Sequence, residues 1–366
     1  MKTKSNPTAL YIHIPFCKNI CAYCDFAKVI YQTQFVNDYF KSLFFELEHL
    51  KTNKYKTIYI GGGTPSCIPL PILETLFSKL QPKLSKNYEF TFECNVEDID
   101  LALLTLLKKY GVNRLSVGIQ TFQDKWIQLC NRKHTKESAI SNILLASQYF
   151  YNLNVDMIYA LPFQKVEDVQ KDLDILMMLP LKHISYYSLI IEKNTVFYHK
   201  YEDLDDAIQA QMYTMIYKTL KKYGFKRYEF SNFAKKGFES KHNQIYWKNM
   251  HYDAIGLQAS GYVDSTRYTN TRNLSFYNQK KYQKEITHLS KEDQMFEEIM
   301  LRFRLDKGLS LKTFYDKFKV NFLDEYSNIL KELEEKKWIK VSKTHVHTTF
   351  QGSLLMNQIL QYFLQE

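Results

Sequence analysis

The sequence predicts an α/β protein: six parallel strands curled into a full or partial (β/α)6-type barrel, then a small winged-helix-like domain. Three observations predict it. Short runs rich in β-branched and aromatic residues alternate with amphipathic runs through the first half. All eight prolines lie at or before Pro180, so the composition shifts there. From about residue 291 a compact pattern of helices and a hairpin closes the chain.

Each element has a local cause. The strands are Leu10–Ile14, Thr57–Ile60, Glu89–Glu93, Arg114–Ile119, Val155–Tyr159 and Ile184–Ile190, and the first two run straight into Pro15 and Gly61. Between them, Phe35–Leu50 is the clearest helix: Phe35, Tyr39, Leu43, Leu47 and Leu50 recur at steps of four and three, on one face. Leu101–Tyr110 and Ala139–Phe150 follow the same pattern. Strand–helix alternation demands parallel strands with right-handed crossovers. Chemistry in such folds gathers at the C-terminal ends of the strands. That rule points to the loops after residues 14, 60, 93, 119, 159 and 190.

A helix over 204–223 leads to a strand at Phe225–Phe230 and then a loop with few regular signals. Helices follow near 292–303, 310–319 and 322–336, then an apolar run Trp338–Val341, a hairpin through Lys343-Thr344 and a last helix 352–364. The expected division is 1–200 for the barrel core, 201–290 for an extension and linker, and 291–366 for the C-terminal domain.

Composition sets the class. With 45% hydrophobic and 24% charged residues in 366, the chain is globular and not disordered. No apolar run approaches the ~20 residues a membrane span needs. The start, Met1-Lys-Thr-Lys-Ser-Asn-Pro, lacks an apolar signal region, so a cytoplasmic protein is expected. The net charge of +10 is uneven: residues 218–248 hold 9 Lys/Arg against 2 Asp/Glu, whereas 291–366 hold 12 of each. The basic stretch suits an anionic partner, or is a solvated loop. The neutral end argues against a phosphate-binding surface, so no nucleic acid is expected.

Six cysteines stand at 17, 21, 24, 67, 94 and 130, three of them within eight residues. Clustered thiols in a cytoplasmic chain point to metal or redox chemistry rather than disulfides. The run Cys17-Lys-Asn-Ile-Cys21-Ala-Tyr-Cys24 lets one loop wrap three corners of an iron–sulfur cube and leaves one iron open. The same thiols also suit a zinc site completed by His13 or another ligand, or stand as inert cysteines. Cys67, Cys94 and Cys130 read as buried small apolar residues. Three of only eleven glycines meet at Gly61-Gly62-Gly63, which serves a close backbone approach to a ligand or a tight turn.

At these residues the chain resembles a known family. Tyr11-Ile-His-Ile-Pro-Phe-Cys17 with Cys-x3-Cys-x2-Cys, and Gly61-Gly-Gly-Thr-Pro-Ser66, are similar to radical S-adenosylmethionine (SAM) proteins. The resemblance implies a partial barrel and a [4Fe–4S] cluster on Cys17, Cys21 and Cys24, with its open iron chelated by SAM. It implies reductive cleavage of the sulfonium to a 5′-deoxyadenosyl radical, fed by an electron donor such as flavodoxin or ferredoxin. It also implies SAM contacts at Tyr11, Tyr23, Gly62, Gly63, Thr64, Glu93, Gln120, Arg132 and Asp156.

Within that superfamily the chain resembles the oxygen-independent coproporphyrinogen III oxidase group through Asn113–Gln120, Asp156–Pro162 and Gln351–Asn357. The oxidases have a further cysteine where Phe26 stands. The haem-chaperone branch, the HemW proteins, has His-Asn-x-x-Tyr-Trp, here His242 to Trp247. This branch implies haem as cargo and an unknown acceptor protein, a membrane-associated one included. His242 is then the candidate haem ligand, with Tyr246 and Trp247 stacking on the macrocycle and the basic stretch holding its propionates. The competing reading has these three side chains pack the second domain against the barrel. A coproporphyrinogen III oxidase and a radical SAM enzyme acting on RNA are the alternative functions. The chain departs from the family pattern at Val96 (for proline), at Ala160 (for glycine) and in its thinned glycine segment Ala254–Gly261.

Overall fold

The computed structural model describes residues 7–282 and 284–364. The opening segment read for a signal lies outside them. Six strands run parallel and in chain order, with a helix after each of the first five: β1 (Ala9–Ile14), β2 (Tyr55–Gly62), β3 (Leu84–Asn95), β4 (Arg114–Gln120), β5 (Leu153–Tyr159) and β6 (His183–Ser188). Helices α1 (Thr33–Glu48), α2 (Leu70–Leu80), α3 (Leu101–Lys109), α4 (Lys136–Tyr149) and α5 (Val166–Leu176) make the crossovers. α6 (Asp206–Lys222) follows the last strand.

The strands are built on a two-residue period. Ile58, Ile60, Phe90, Phe92, Val155 and Met157 face the helices with no exposed surface. Each contributes roughly 1.5–3 kcal/mol by burial. The alternate residues Tyr59, Glu93, Ser116, Asn154 and Asp156 face the concave side and hydrogen-bond one another there.

The strand expected at Phe225–Phe230 is present, and the segment after it, read as an irregular loop, adds further strands. β7 (Lys226–Glu229) and β8 (Asn232–Ala234) extend one edge beyond β6. Helix α7 (Lys241–Trp247) crosses to the other edge, where β9 (Tyr252–Gly256) pairs in parallel with β1. β10 (Ser260–Val263), β11 (Thr266–Thr269) and β12 (Glu285–His288) continue antiparallel, giving this sheet twelve strands among the described residues. Propensity did not reveal β9, because its place is set by distant partners. Gly256 packs so closely that a Cβ would lie 2.4 Å from the His13 carbonyl oxygen. The buried Glu46 of α1 holds the extension, accepting from Gly256 N (3.0 Å), Asn270 Nδ2 (2.8 Å) and Tyr277 Oη (2.8 Å).

The C-terminal domain has its own core around Ile299, Phe303, Phe314, Leu333 and Val346. Helices α8 (Lys291–Arg302), α9 (Leu311–Phe318) and α10 (Ser327–Glu335) pack on a small sheet of β13 (Leu309–Ser310), β14 (Ile339–Val341) and β15 (His345–Thr348), a winged-helix arrangement. Two expected helices are broken. The helix over 322–336 breaks at Tyr326, and the last one divides into Phe350–Leu354 and Met356–Gln361. Gly352 abuts the hairpin, with room for no side chain: a Cβ would meet the Trp338 carbonyl oxygen at 1.8 Å. The domain joins the barrel by backbone bonds from Phe230 N to Arg304 O (3.1 Å) and Asp306 N to Tyr228 O (3.1 Å). Arg227, paired with Asp306 at 2.6 Å, reinforces that seam.

Candidate functional site

A cavity of ≈ 410 Å³ opens at the C-terminal ends of the parallel strands. The loop after β1 forms one wall. Phe16–Cys17 pairs with Val29–Ile30, clamping the ends of the intervening loop so that Cys17, Cys21 and Cys24 all border the cavity. Two of the sulfurs have donors: Thr64 Oγ1 reaches Cys17 Sγ at 3.4 Å and Arg132 Nη1 reaches Cys21 Sγ at 3.8 Å. Burial pushes the Cys17 thiol up to about 11, against the Thr64 hydrogen bond, and raises Cys24 too. Metal binding must therefore displace protons from these sulfurs.

Among the described residues no three His, Cys, Asp or Glu side chains close round a single metal ion. His13, the expected zinc partner, is engaged at both ring nitrogens: Nδ1 with Tyr11 Oη (2.9 Å) and Nε2 with Ala27 O (2.9 Å).

The glycine run makes a tight turn at the cavity edge. Gly62 has φ +122°, which favours glycine, and a Cβ on Gly63 would lie 2.9 Å from Cys17 Sγ. The same backbone presents Gly62, Gly63 and Thr64 to the cavity.

Of the other residues expected to meet SAM, Tyr23, Glu93, Gln120, Arg132 and Asp156 border this cavity. Glu93 accepts from Tyr59 Oη and from Gly62 N (3.1 Å), and burial with the nearby Asp156 pushes its carboxyl up to about 7. Asp156 accepts from Ser116 Oγ and Asn154 Nδ2, both at 3.0 Å, and burial raises it as well. Arg132 donates to Gly118 O (2.7 Å) and Asn95 Oδ1 (2.9 Å) and pairs with Glu97 (3.3 Å). Two buried atoms have no partner, Arg132 Nε and Gln120 Oε1. Gln120 also holds φ +72°, an uncommon conformation for a side-chain residue. Carboxylates, a guanidinium and unpaired polar atoms beside the thiols fit a zwitterionic sulfonium ligand.

Two expected residues lie elsewhere. Tyr11 does not border the cavity; its hydroxyl holds His13. His242 does not reach it either. Its ring is fully buried at the barrel floor, with Nδ1 on Thr57 Oγ1 (2.8 Å) and Nε2 on Tyr246 Oη (2.7 Å). Burial holds it neutral, down at about 3. Glu89 accepts from the backbone N–H of Lys241 and His242, both at 3.0 Å, tying α7 to β3. The Trp247 ring lies under Arg304 of the C-terminal domain, 5.7 Å away. In this arrangement the motif packs domain against barrel and leaves no ring nitrogen of His242 for iron.

The comparisons agree with the motifs. The radical SAM superfamily model matches residues 11–176, and the HemN C-terminal domain model matches 289–355. A protein of Lactococcus lactis subsp. lactis (strain IL1403), "Heme chaperone HemW", is 37% identical, covering 98% of this chain and 97% of its own length. A Bacillus subtilis (strain 168) protein of the same name is 36% identical, covering 97% and 99%. The chain belongs to the HemW family of the radical SAM superfamily.

The Escherichia coli (strain K12) protein of that name is 30% identical, covering 99% of this chain and 100% of its own length. The fold matches the coproporphyrinogen III oxidase HemN of Escherichia coli with a TM-score of 0.84, at 21% identity, covering 98% of this chain and 90% of that one. The radical SAM domain implies a [4Fe–4S] cluster and SAM. Sequence reading passed over Tyr59, Ser116 and Tyr187 on the cavity wall. The signal was there: each lies at an inward position of its strand, in period with Glu93 and Asp156.

Proposed function

We propose that this chain is a haem chaperone that binds haem and passes it to an acceptor protein, with a [4Fe–4S] cluster and exchangeable SAM at the barrel mouth. Its full-length relation to haem chaperones carries the reading. When bound, the cluster supplies one-electron chemistry at the SAM sulfonium. In this reading Cys17, Cys21 and Cys24 hold the cluster. Glu93 and Asp156 take the cationic and hydroxyl groups of SAM, and Arg132 and Gln120 take its polar edges. Gly62, Gly63 and Thr64 offer backbone groups, and Tyr23 closes the side. The acceptor protein and a flavodoxin- or ferredoxin-type donor are the expected partners. No helix among the described residues is long and apolar enough to cross a membrane. Phe26, 66% exposed at the cavity, stands where the oxidases have a further cysteine, which disfavours the coproporphyrinogen oxidase alternative. The test is anaerobic cluster reconstitution followed by haem titration, with a parallel assay for 5′-deoxyadenosine on coproporphyrinogen. A Soret shift without turnover supports the chaperone; no Soret shift removes it.

A further inference from the structure

A haem chaperone needs an iron ligand that haem can reach, and His242 is fully buried with both nitrogens engaged. Two other exposed imidazoles are each held at one nitrogen, His49 Nδ1 at 2.7 Å from Phe45 O and His288 Nδ1 at 3.1 Å from Thr266 Oγ1, and neither borders the aromatic groove described next. His199 differs. It is exposed and makes no hydrogen bond to the described residues; its one ring neighbour is Tyr198, edge-on at 5.6 Å.

His199 lines an open groove of ≈ 490 Å³ together with Phe163, Tyr198, Lys200 and Tyr201. The groove is aromatic and accessible. Phe163 is 67% exposed and Tyr198 47%. Phe163 is held outward at φ +62°, an uncommon backbone conformation for a bulky residue, by a tight turn in which Gln164 N bonds Leu161 O at 2.9 Å. Tyr201 braces it edge-on at 5.6 Å. Lys200 has no carboxylate in ion-pair reach among the described residues, although Glu202 also borders the groove. The groove is one loop away from the cluster cavity: Leu189, Ile190 and Glu192 of the same segment line that cavity, and Phe197 N bonds Ala22 O of the cysteine loop at 3.1 Å.

We propose that this groove is the haem seat, with His199 as axial iron ligand, Phe163 and Tyr198 against the macrocycle and Lys200 facing a propionate. A flat apolar ring with an iron centre and two carboxylates matches that set of groups. The inference rests on the haem-chaperone reading and names the site that reading requires.

Full-length, cluster-reconstituted protein titrated with haem tests it, with His199→Ala and Phe163→Ser beside the wild type. Both positions are exposed, so circular dichroism and cluster absorption should match the wild type. His199→Ala should move the Soret band and weaken binding by on the order of tenfold or more. Phe163→Ser should weaken binding without moving the band. Wild-type haem uptake that His199→Ala leaves unaltered in spectrum and affinity overturns the seat alone. A wild-type protein that takes up no haem overturns the chaperone reading, and the seat with it.

Discussion

The mouth and the floor of the barrel carry the two sharpest sequence motifs, and they are built in opposite ways. At the mouth, Cys17, Cys21, Cys24, Glu93, Gln120 and Asp156 border a cavity, and buried atoms there lack partners. At the floor, His242 has both ring nitrogens paired, and its helix is tied to Glu89 by backbone N–H groups. Unpaired polar atoms that border a cavity mark a place for a ligand; at the floor Trp247 Nε1 is unpaired too, but His242, the candidate ligand, has no nitrogen free. A histidine motif therefore says little about ligation until the partners of its nitrogens are known.

Four experiments would break or sharpen that contrast. The largest effect is expected at the mouth: Cys21→Ser should abolish cluster assembly, read as lost iron and lost visible absorption, while far-ultraviolet dichroism stays native. Cluster retention would mean that other residues hold the metal.

The floor should answer in stability. His242→Ala leaves the Thr57 and Tyr246 hydroxyls without their partner and opens a void. Unfolding free energy should fall by roughly 2–4 kcal/mol, measured by denaturant titration. Unchanged stability combined with lost haem binding would restore His242 as a ligand and undo the contrast.

The third effect is pH dependence at the mouth. Burial keeps the Glu93 carboxyl protonated up to about 7. A cationic ligand favours the ionised form, so binding releases this proton at lower pH. SAM affinity should then rise with pH toward 7, by up to about tenfold per unit, and level off above it, as read by calorimetry at several pH values. Glu93→Gln should bind more weakly and flatten the profile.

The smallest effect concerns a departure from the family pattern. Ala160 holds φ +61°, a conformation that glycine adopts without strain. Ala160→Gly should raise stability by about 1 kcal/mol, visible as a small increase in melting temperature. Val96, by contrast, opens the short turn Val96–Asp98 fully buried, a first-turn position that proline also suits. Its replacement costs the fold little.

The parallel strands were legible because their outward faces are continuously apolar and each run ends at a glycine, proline or polar loop. Leu10–Ile14 and Arg114–Ile119 are found within one residue at each end of the observed strands. Their C-terminal ends hold the cavity, as the topology requires. The stretch after 230 was illegible for the opposite reason. β9 gains its place from β1, from Tyr39 and from Glu46, all of which lie more than 200 residues away in the chain.

Spacing alone pointed to the cysteine loop, the glycine turn beside it and the succession of barrel strands and helices, because these patterns are written in neighbouring residues. Tertiary packing decided where β9 joins, how closely the chain at Gly352 approaches Trp338, and that His242 faces Thr57 and Tyr246 instead of a cavity. Which partners fill a nitrogen's two hydrogen-bonding sites depends on residues brought together by folding, and no local pattern encodes that.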